Sequence, residues 1–177
     1  MPKTSSPTPP ASPTFMDPAL MPWALVSEVY WMAWKLLERR LYHLGVSASQ
    51  ARLLAVLYYS DAPIKPSAVA TLLFQETQSV TGILHRVEAR GWVQRTPDQN
   101  DRRAVGITLT ASGQKLTAEI VEISKELYRE LFASALTTAD KRQVEALLKK
   151  VRAVGFKLPE TDFKLRRAQQ YPIWKDQ

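Results

Sequence analysis

From Leu25 to Val154 the apolar residues recur every three or four positions, except over residues 92–109, where the spacing shortens to every second residue. A helix repeats about every 3.6 residues and a strand every second one, so this pattern describes amphipathic helices interrupted once by a strand pair. No longer repeat is present, so a solenoid is excluded.

The punctuation sharpens the reading. Leu25, Val26, Val29, Met32, Ala33, Leu36, Leu37 and Leu41 define a helix from Trp23 to about Tyr42, broken by Gly45. Ser47 and Gln50 have capping-box spacing and open a second helix, with Leu53, Leu54, Val56 and Leu57 inside and an end near Ser60. Pro66 suits the first turn of a short helix ending at Leu73. After a turn at Phe74-Gln75-Glu76, Thr77 is expected to cap a helix running through Val80, Ile83, Leu84 and Val87 to Arg90, closed by Gly91. Strands are expected at 92–96 and 104–109 around the polar loop 97–103. Thr110 then caps a long helix, about 111–135. One stripe of it holds Leu116, Ile120, Ile123, Leu127 and Leu131, and a second holds Val121, Tyr128, Phe132 and Ala135. Two stripes imply burial on two sides, one of them against a partner. A last helix, capped at Thr137 or Thr138, is expected to place Val144, Leu147, Leu148, Val151 and Val154 inside.

The ends differ from the middle. Residues 1–22 hold seven of the twelve prolines and are expected to form a loosely extended or disordered arm. Residues 156–177 form a basic extension with Phe156, Phe163, Tyr171 and Trp174. It either folds back on the protein or extends a contact with an acidic partner. The formal charge of +7 is concentrated at 78–115 and 149–177, which favours nucleic acid as a partner.

Other functions are constrained by what is missing from the sequence. With no cysteine, the chain has no disulfide, thiolate metal site or thiol switch of its own. The only histidines, His43 and His85, fall on different expected helices, so a shared metal site is not expected. No phosphate-cradling glycine loop, nucleophile elbow or His-Glu-x-x-His pair occurs, so neither an enzyme nor a bound cofactor is expected. No apolar run has membrane-spanning length and the first residues lack a signal-peptide core, so a cytoplasmic protein without a membrane partner is expected.

The short helix, tight turn and second helix make a helix-turn-helix, and the hairpin after it makes a wing. In such a unit the second helix enters the major groove with its N-terminal residues toward base edges. Those residues are Gln78, Ser79, Thr81 and Gly82, with His85 and Arg86 one turn on; Ser67, Thr77 and Arg95 complete the surface. Arg102 and Arg103 stand at the wing tip, where guanidinium groups reach phosphate or a narrow minor groove, and Asp101 can orient one of them.

Val80-Thr81, the run Glu88 to Val93, the wing pair Asp101 and Arg103, Leu109-Thr110 and Gly113 together resemble the winged helix of the MarR family of bacterial transcriptional regulators. The resemblance covers about 23–155. It implies a mainly α fold with a small β-hairpin wing (α+β), a winged helix-turn-helix at about 47–110, and dimerisation helices at about 23–43 and 111–155. It also implies a homodimeric repressor on a pseudo-palindromic double-stranded DNA operator, released in many members by a small ligand. Gly82 departs from the family, which often has arginine after the Val-Thr pair. Trp31, Trp34, Tyr42, His43 and Tyr58, with Tyr59, are candidates to bind a small aromatic effector, or are core and dimer packing. The alternative function is a winged-helix module that binds protein, without sequence-specific DNA binding.

Overall fold

The computed structural model describes residues 17–60, 63–97 and 105–158. Helix α1 (Met21–Leu41) follows a 3-10 turn at Pro18–Leu20. Helical structure thus starts inside the stretch expected to be an extended arm. The physical reason is position: Pro18 and Pro22 occupy first-turn sites, where a missing N–H costs nothing, and the Asp17 carboxylate accepts the Ala19 amide at 2.9 Å. Gly45, at φ 63°, turns the chain into α2 (Ala48–Tyr58). The capping box is formed there: the Gln50 amide donates to Ser47 Oγ (3.2 Å) and the Ser47 amide to Gln50 Oε1 (2.9 Å).

Helix α3 (Pro66–Leu73) begins at its proline, and α4 (Thr77–Ala89) follows after three residues. Thr77 is not the cap. Glu76 takes that place without a side-chain bond, and Thr77 is already helical, its carbonyl accepting the Thr81 hydroxyl at 2.8 Å. The strands β1 (Val93–Pro97) and β2 (Val105–Leu109) pair antiparallel, Val93 opposite Leu109 and Arg95 opposite Ile107. Ile64 adds a bridge to the other edge of β2, exchanging two backbone hydrogen bonds with Ile107 (2.8 and 3.2 Å). Gly106 allows that approach, because a β-carbon there would lie 2.4 Å from Pro63 Cβ.

Helix α5 (Ala111–Tyr128) continues through a π-helical turn at Arg129–Ala133, and α6 (Thr138–Gly155) starts with a second capping box, between Thr137 and Asp140. Arg40 of α1 pairs with Glu130 in the π turn, and this hydrogen bond holds the Glu130 carboxyl below its usual pKa. The core lies where α2, α3, α4, the hairpin and α5 converge, around Leu53, Leu54, Val69, Val80, Val87, Ile107 and Ile120, all fully buried.

Helix α6 departs from expectation. Val144, Leu147, Leu148, Val151 and Val154 are exposed, and no residue from Thr138 to Gly155 is buried. Leu25, Val26, Val29 and Met32 of α1 are exposed as well. The chain carries more apolar helix face than its own core covers, which periodicity cannot reveal. On α5, Ile120 and Leu127 of the first stripe are buried, while Tyr128 of the second is exposed.

Gly113, in the first turn of α5, rests against the Trp92 carbonyl so closely that a β-carbon would lie 1.9 Å from that oxygen. Gly113→Ala is therefore expected to lower stability by about 3 kcal/mol, since the obstacle is backbone that cannot rotate away. Urea unfolding measures it; a loss below about 1 kcal/mol, the usual scale of a tolerated substitution, would show that the junction yields.

Candidate nucleic-acid interface

The division of α4 into two faces comes directly from its sequence. Val80, Ile83, Leu84 and Val87 recur at helical spacing and are buried in the core. The positions between them, Gln78, Ser79, Thr81, His85 and Arg86, are exposed, as is Thr77 at the start. Gly82 is half-buried, and a β-carbon there would meet nothing nearer than Arg86 Nη1 at 3.9 Å, so the exposed face has a shallow notch at its middle. Ser67 on α3 is exposed near the start of that helix, its carbonyl accepting the Thr71 hydroxyl at 3.0 Å. These residues lie on the two helices of one helix-turn-helix and form its outward face.

Arg95 on β1 is paired within the fold. Its guanidinium makes two contacts to the Glu88 carboxylate, at 3.0 and 3.4 Å, bracing the hairpin against the end of α4. Sequence reading missed Glu88 as its partner, although the two positions flank the Gly91 turn. The expected wing-tip residues Asp101, Arg102 and Arg103 lie outside the described residues, as do Phe163, Tyr171 and Trp174 of the basic extension.

A left-handed turn and a set of side-chain contacts fix how α4 and the hairpin meet. Gly91, at φ 70°, ends the helix with a left-handed turn. Its carbonyl accepts the Thr110 hydroxyl (2.6 Å) and the Ser112 hydroxyl (2.9 Å). The same Thr110 oxygen caps α5 by accepting the Gly113 amide at 3.1 Å. Arg90 stacks over the Trp92 ring (5.1 Å to the centroid) and donates to the Gly45 carbonyl at 3.2 Å, tying this corner to the start of α2.

The expected effector residues are not gathered into one site. Trp34 lines a cavity of about 260 Å³ between α1 and α5, with Tyr30, Arg52, Tyr128 and Phe132. Tyr58 lines a separate one of about 500 Å³ beside β2 and Lys115. Trp31 is 59% exposed, packing its edge on Tyr30, Tyr42 is 85% exposed, and His43 is also exposed. A spacing of three put Trp31 and Trp34 on one face, but a cleft wall forms only where another helix packs opposite, and Trp34 alone has that. Tyr30, Arg52, Tyr128 and Phe132 were missed as wall residues; the pairs Tyr30/Trp34 and Tyr128/Phe132, each four apart, were the available signal. Among the described residues no cluster of three or more His, Cys, Asp or Glu could hold a metal, and no helix is long and apolar enough to cross a membrane.

This arrangement defines a winged helix-turn-helix protein. The sequence model of the family described as MarR family matches residues 44–104. The HTH-type transcriptional regulator PecS of Dickeya dadantii is 35% identical over 108 residues, 60% of this chain and 64% of PecS. The chain thus spans just under two thirds of that relative. The multiple antibiotic resistance protein MarR of Escherichia coli is 31% identical over 118 residues, 66% of this chain and 81% of that protein. The crystal structure of a single-site mutant of E. coli MarR complexed with operator DNA superposes with a TM-score of 0.66 at 28% identity, covering 77% of this chain and 99% of the other. The chain belongs to the MarR family, a family of transcriptional regulators and not of enzymes.

Because Thr110 serves two bonds at once, Thr110→Val removes both the α5 cap and the tie to Gly91. The expected loss is about 2 kcal/mol, the upper end for a cap. Urea unfolding measures the loss, and amide exchange at Gly91–Val93 should speed up with it. Unchanged exchange there would mean that Ser112 alone secures the hairpin root.

Proposed function

We propose that the protein is a DNA-binding transcriptional regulator that acts as a homodimer, represses from a pseudo-palindromic operator and is released by a small-molecule effector. The observation that carries the DNA-binding reading is the two-faced α4, its apolar side locked in the core and its polar side chains exposed at the N-terminal half. A helix buried this way can enter a major groove without disturbing the fold that holds it. In this reading residues 47–110 are the DNA-binding unit, with Gln78, Ser79 and Thr81 toward base edges, and Ser67, Thr77, His85 and Arg86 toward bases or phosphate. Arg95 supports the wing root through Glu88, and Asp101, Arg102 and Arg103 are assigned to the wing tip. Gly82 in place of a long side chain leaves room at the centre of the contact.

Dimerisation is assigned to α1, α5 and α6. Its support is the exposed apolar side chains on α1 and α6, including Trp23, Leu25, Leu147, Leu148 and Val151, a kind of surface that marks interaction sites. Two-fold pairing of such a surface explains why an operator would be pseudo-palindromic. The relatives named as regulators, and the MarR structure with operator DNA, favour the DNA-binding part of the reading.

Two outcomes test it. Titration of the purified protein against its own upstream intergenic DNA should show saturable binding absent from an unrelated fragment, weakening steeply with salt. Arg86→Ala should reduce the salt slope by about one if it contacts phosphate. Equal binding to both fragments would reduce the reading to a general DNA binder, and no binding at low salt would favour the protein-binding alternative. In sedimentation equilibrium, Leu147→Glu with Val151→Glu should convert a dimer to a monomer; an unchanged dimer would remove α6 from the interface.

A further inference from the structure

Helix α6 is exposed along its length, yet the residue that follows it is not. Phe156 is the one buried residue between Thr138 and Leu158, and its ring lies 6.2 Å, centroid to centroid, from that of Phe74. The backbone pins the chain there as well: the amides of Phe156, Lys157 and Leu158 donate to the carbonyls of Arg152, Val154 and Gly155 at 3.1, 2.9 and 3.3 Å. Phe74 is the turn residue after α3, held at φ 54° and ψ 43°. Glycine takes that conformation freely, whereas a phenylalanine needs contacts to maintain it, and the Phe156 ring supplies one. The end of α6 is thus clasped to the helix-turn-helix, three residues before Thr77, where α4 begins.

The clasp decides where the rest of the chain starts. Residues 159–177 continue from Leu158, which is exposed. Within them, residues 163–175 hold four cations, Lys164, Arg166, Arg167 and Lys175, and no carboxylate. A chain spans at most ~3.5 Å per residue, so Arg167, eleven residues past Phe156, stays within about 40 Å of it whatever path the chain takes. A basic segment tethered beside α4 meets the partner of α4 at a raised local concentration. In the reading above that partner is a duplex, whose phosphates continue on either side of the groove that α4 enters.

We propose that the C-terminal extension is a second DNA-contacting element, in which Lys164, Arg166 and Arg167 engage phosphates flanking the groove occupied by α4, and that the Phe156–Phe74 clasp positions it. The proposal rests on the DNA-binding reading above and adds a contact outside the winged helix-turn-helix. Phosphate contacts position a protein without reading sequence, so the extension lengthens the footprint and adds affinity while leaving base preference unchanged.

The test compares the full chain with a triple variant carrying Lys164→Gln, Arg166→Gln and Arg167→Gln, on the upstream intergenic DNA. Hydroxyl-radical footprinting should show the wild type protecting backbone on both flanks of the segment that the variant protects. In anisotropy titrations the variant should lose about 2–3 from the salt slope for each bound subunit, since each phosphate contact contributes ~0.9. A duplex trimmed to the segment protected by the variant should remove most of that difference. Because the chain has no cysteine, Gln170→Cys takes a single iron–EDTA cleavage reagent, which should cut the backbone in the same flanks. Phe156→Ala keeps every cation and should lose most of the affinity gained from the flanks; Phe156→Leu, which retains an apolar contact, should recover it and guards against a variant that fails to fold. Equal slopes and equal footprints in wild type and triple variant would overturn the proposal. A lowered melting temperature in that variant would then assign the extension to packing on the protein, and sedimentation of the wild type alone with phosphatidylglycerol vesicles would assign it to a membrane surface. Phe156→Ala behaving as wild type would overturn the role of the clasp. Absence of any DNA binding by the wild type would sink the DNA-binding reading itself, and this proposal with it, an outcome distinct from binding with an unchanged slope.

Discussion

The seat of α5 on the end of the helix-turn-helix is the contact on which the other parts depend. Thr110 Oγ1 accepts the Gly113 amide and donates to the Gly91 carbonyl, while the Trp92 carbonyl takes the Thr110 amide and lies against Gly113. Within a few residues this joins the left-handed end of α4, both strand roots and the first turn of α5. A local hydrogen-bond exchange thereby sets the angle between a groove-sized helix and the long helix that leads away from it. The Ile64 bridge to Ile107 does the same from the other side, fastening the segment before α3 to the sheet edge. The outward face of α4 owes its presentation to these backbone bonds more than to its own propensity, because isolated helices of this length are marginal in water.

Features governed by nearby backbone chemistry were legible in the sequence. Ser47 with Gln50 and Thr110 before Gly113 each form the expected cap, because a side-chain oxygen three residues from an orphan amide has few other places to go. The Gly91 turn followed for the same reason. Thr77 was misread because capping chemistry at one position competes with its neighbour: Glu76 adopts the extended cap conformation, and Thr77 becomes helical. The apolar stripe of α6 was correctly found but placed on the wrong side. Spacing tells which residues share a face and is silent about what, if anything, covers it.

The cavity beside Trp34 shows the same limit. Trp34 was legible as a wall because aromatic side chains are conspicuous, whereas Arg52 was not, since a lone arginine on an amphipathic helix looks like any solvated charge. Its place comes from packing across three helices, which brings it over Trp34 and under the end of α3. Arg95 is the complementary case. A basic residue beside a wing was legible as part of the outward surface, whereas its pairing with Glu88 was not.

The meeting of Phe74 and Phe156, with ring centroids 6.2 Å apart, carries a consequence for the order of assembly. Like the Arg40–Glu130 pair, this contact is distant in sequence: it joins the helix-turn-helix to the residue that follows α6 and must wait for the intervening elements. Phe156, the residue that follows α6, is buried, so that exposed helix is anchored just past its end. During synthesis the Phe74 turn, held at φ 54°, therefore emerges without this support and acquires it only after α6 has been made. The turn that aims α4 thus reaches its finished geometry late.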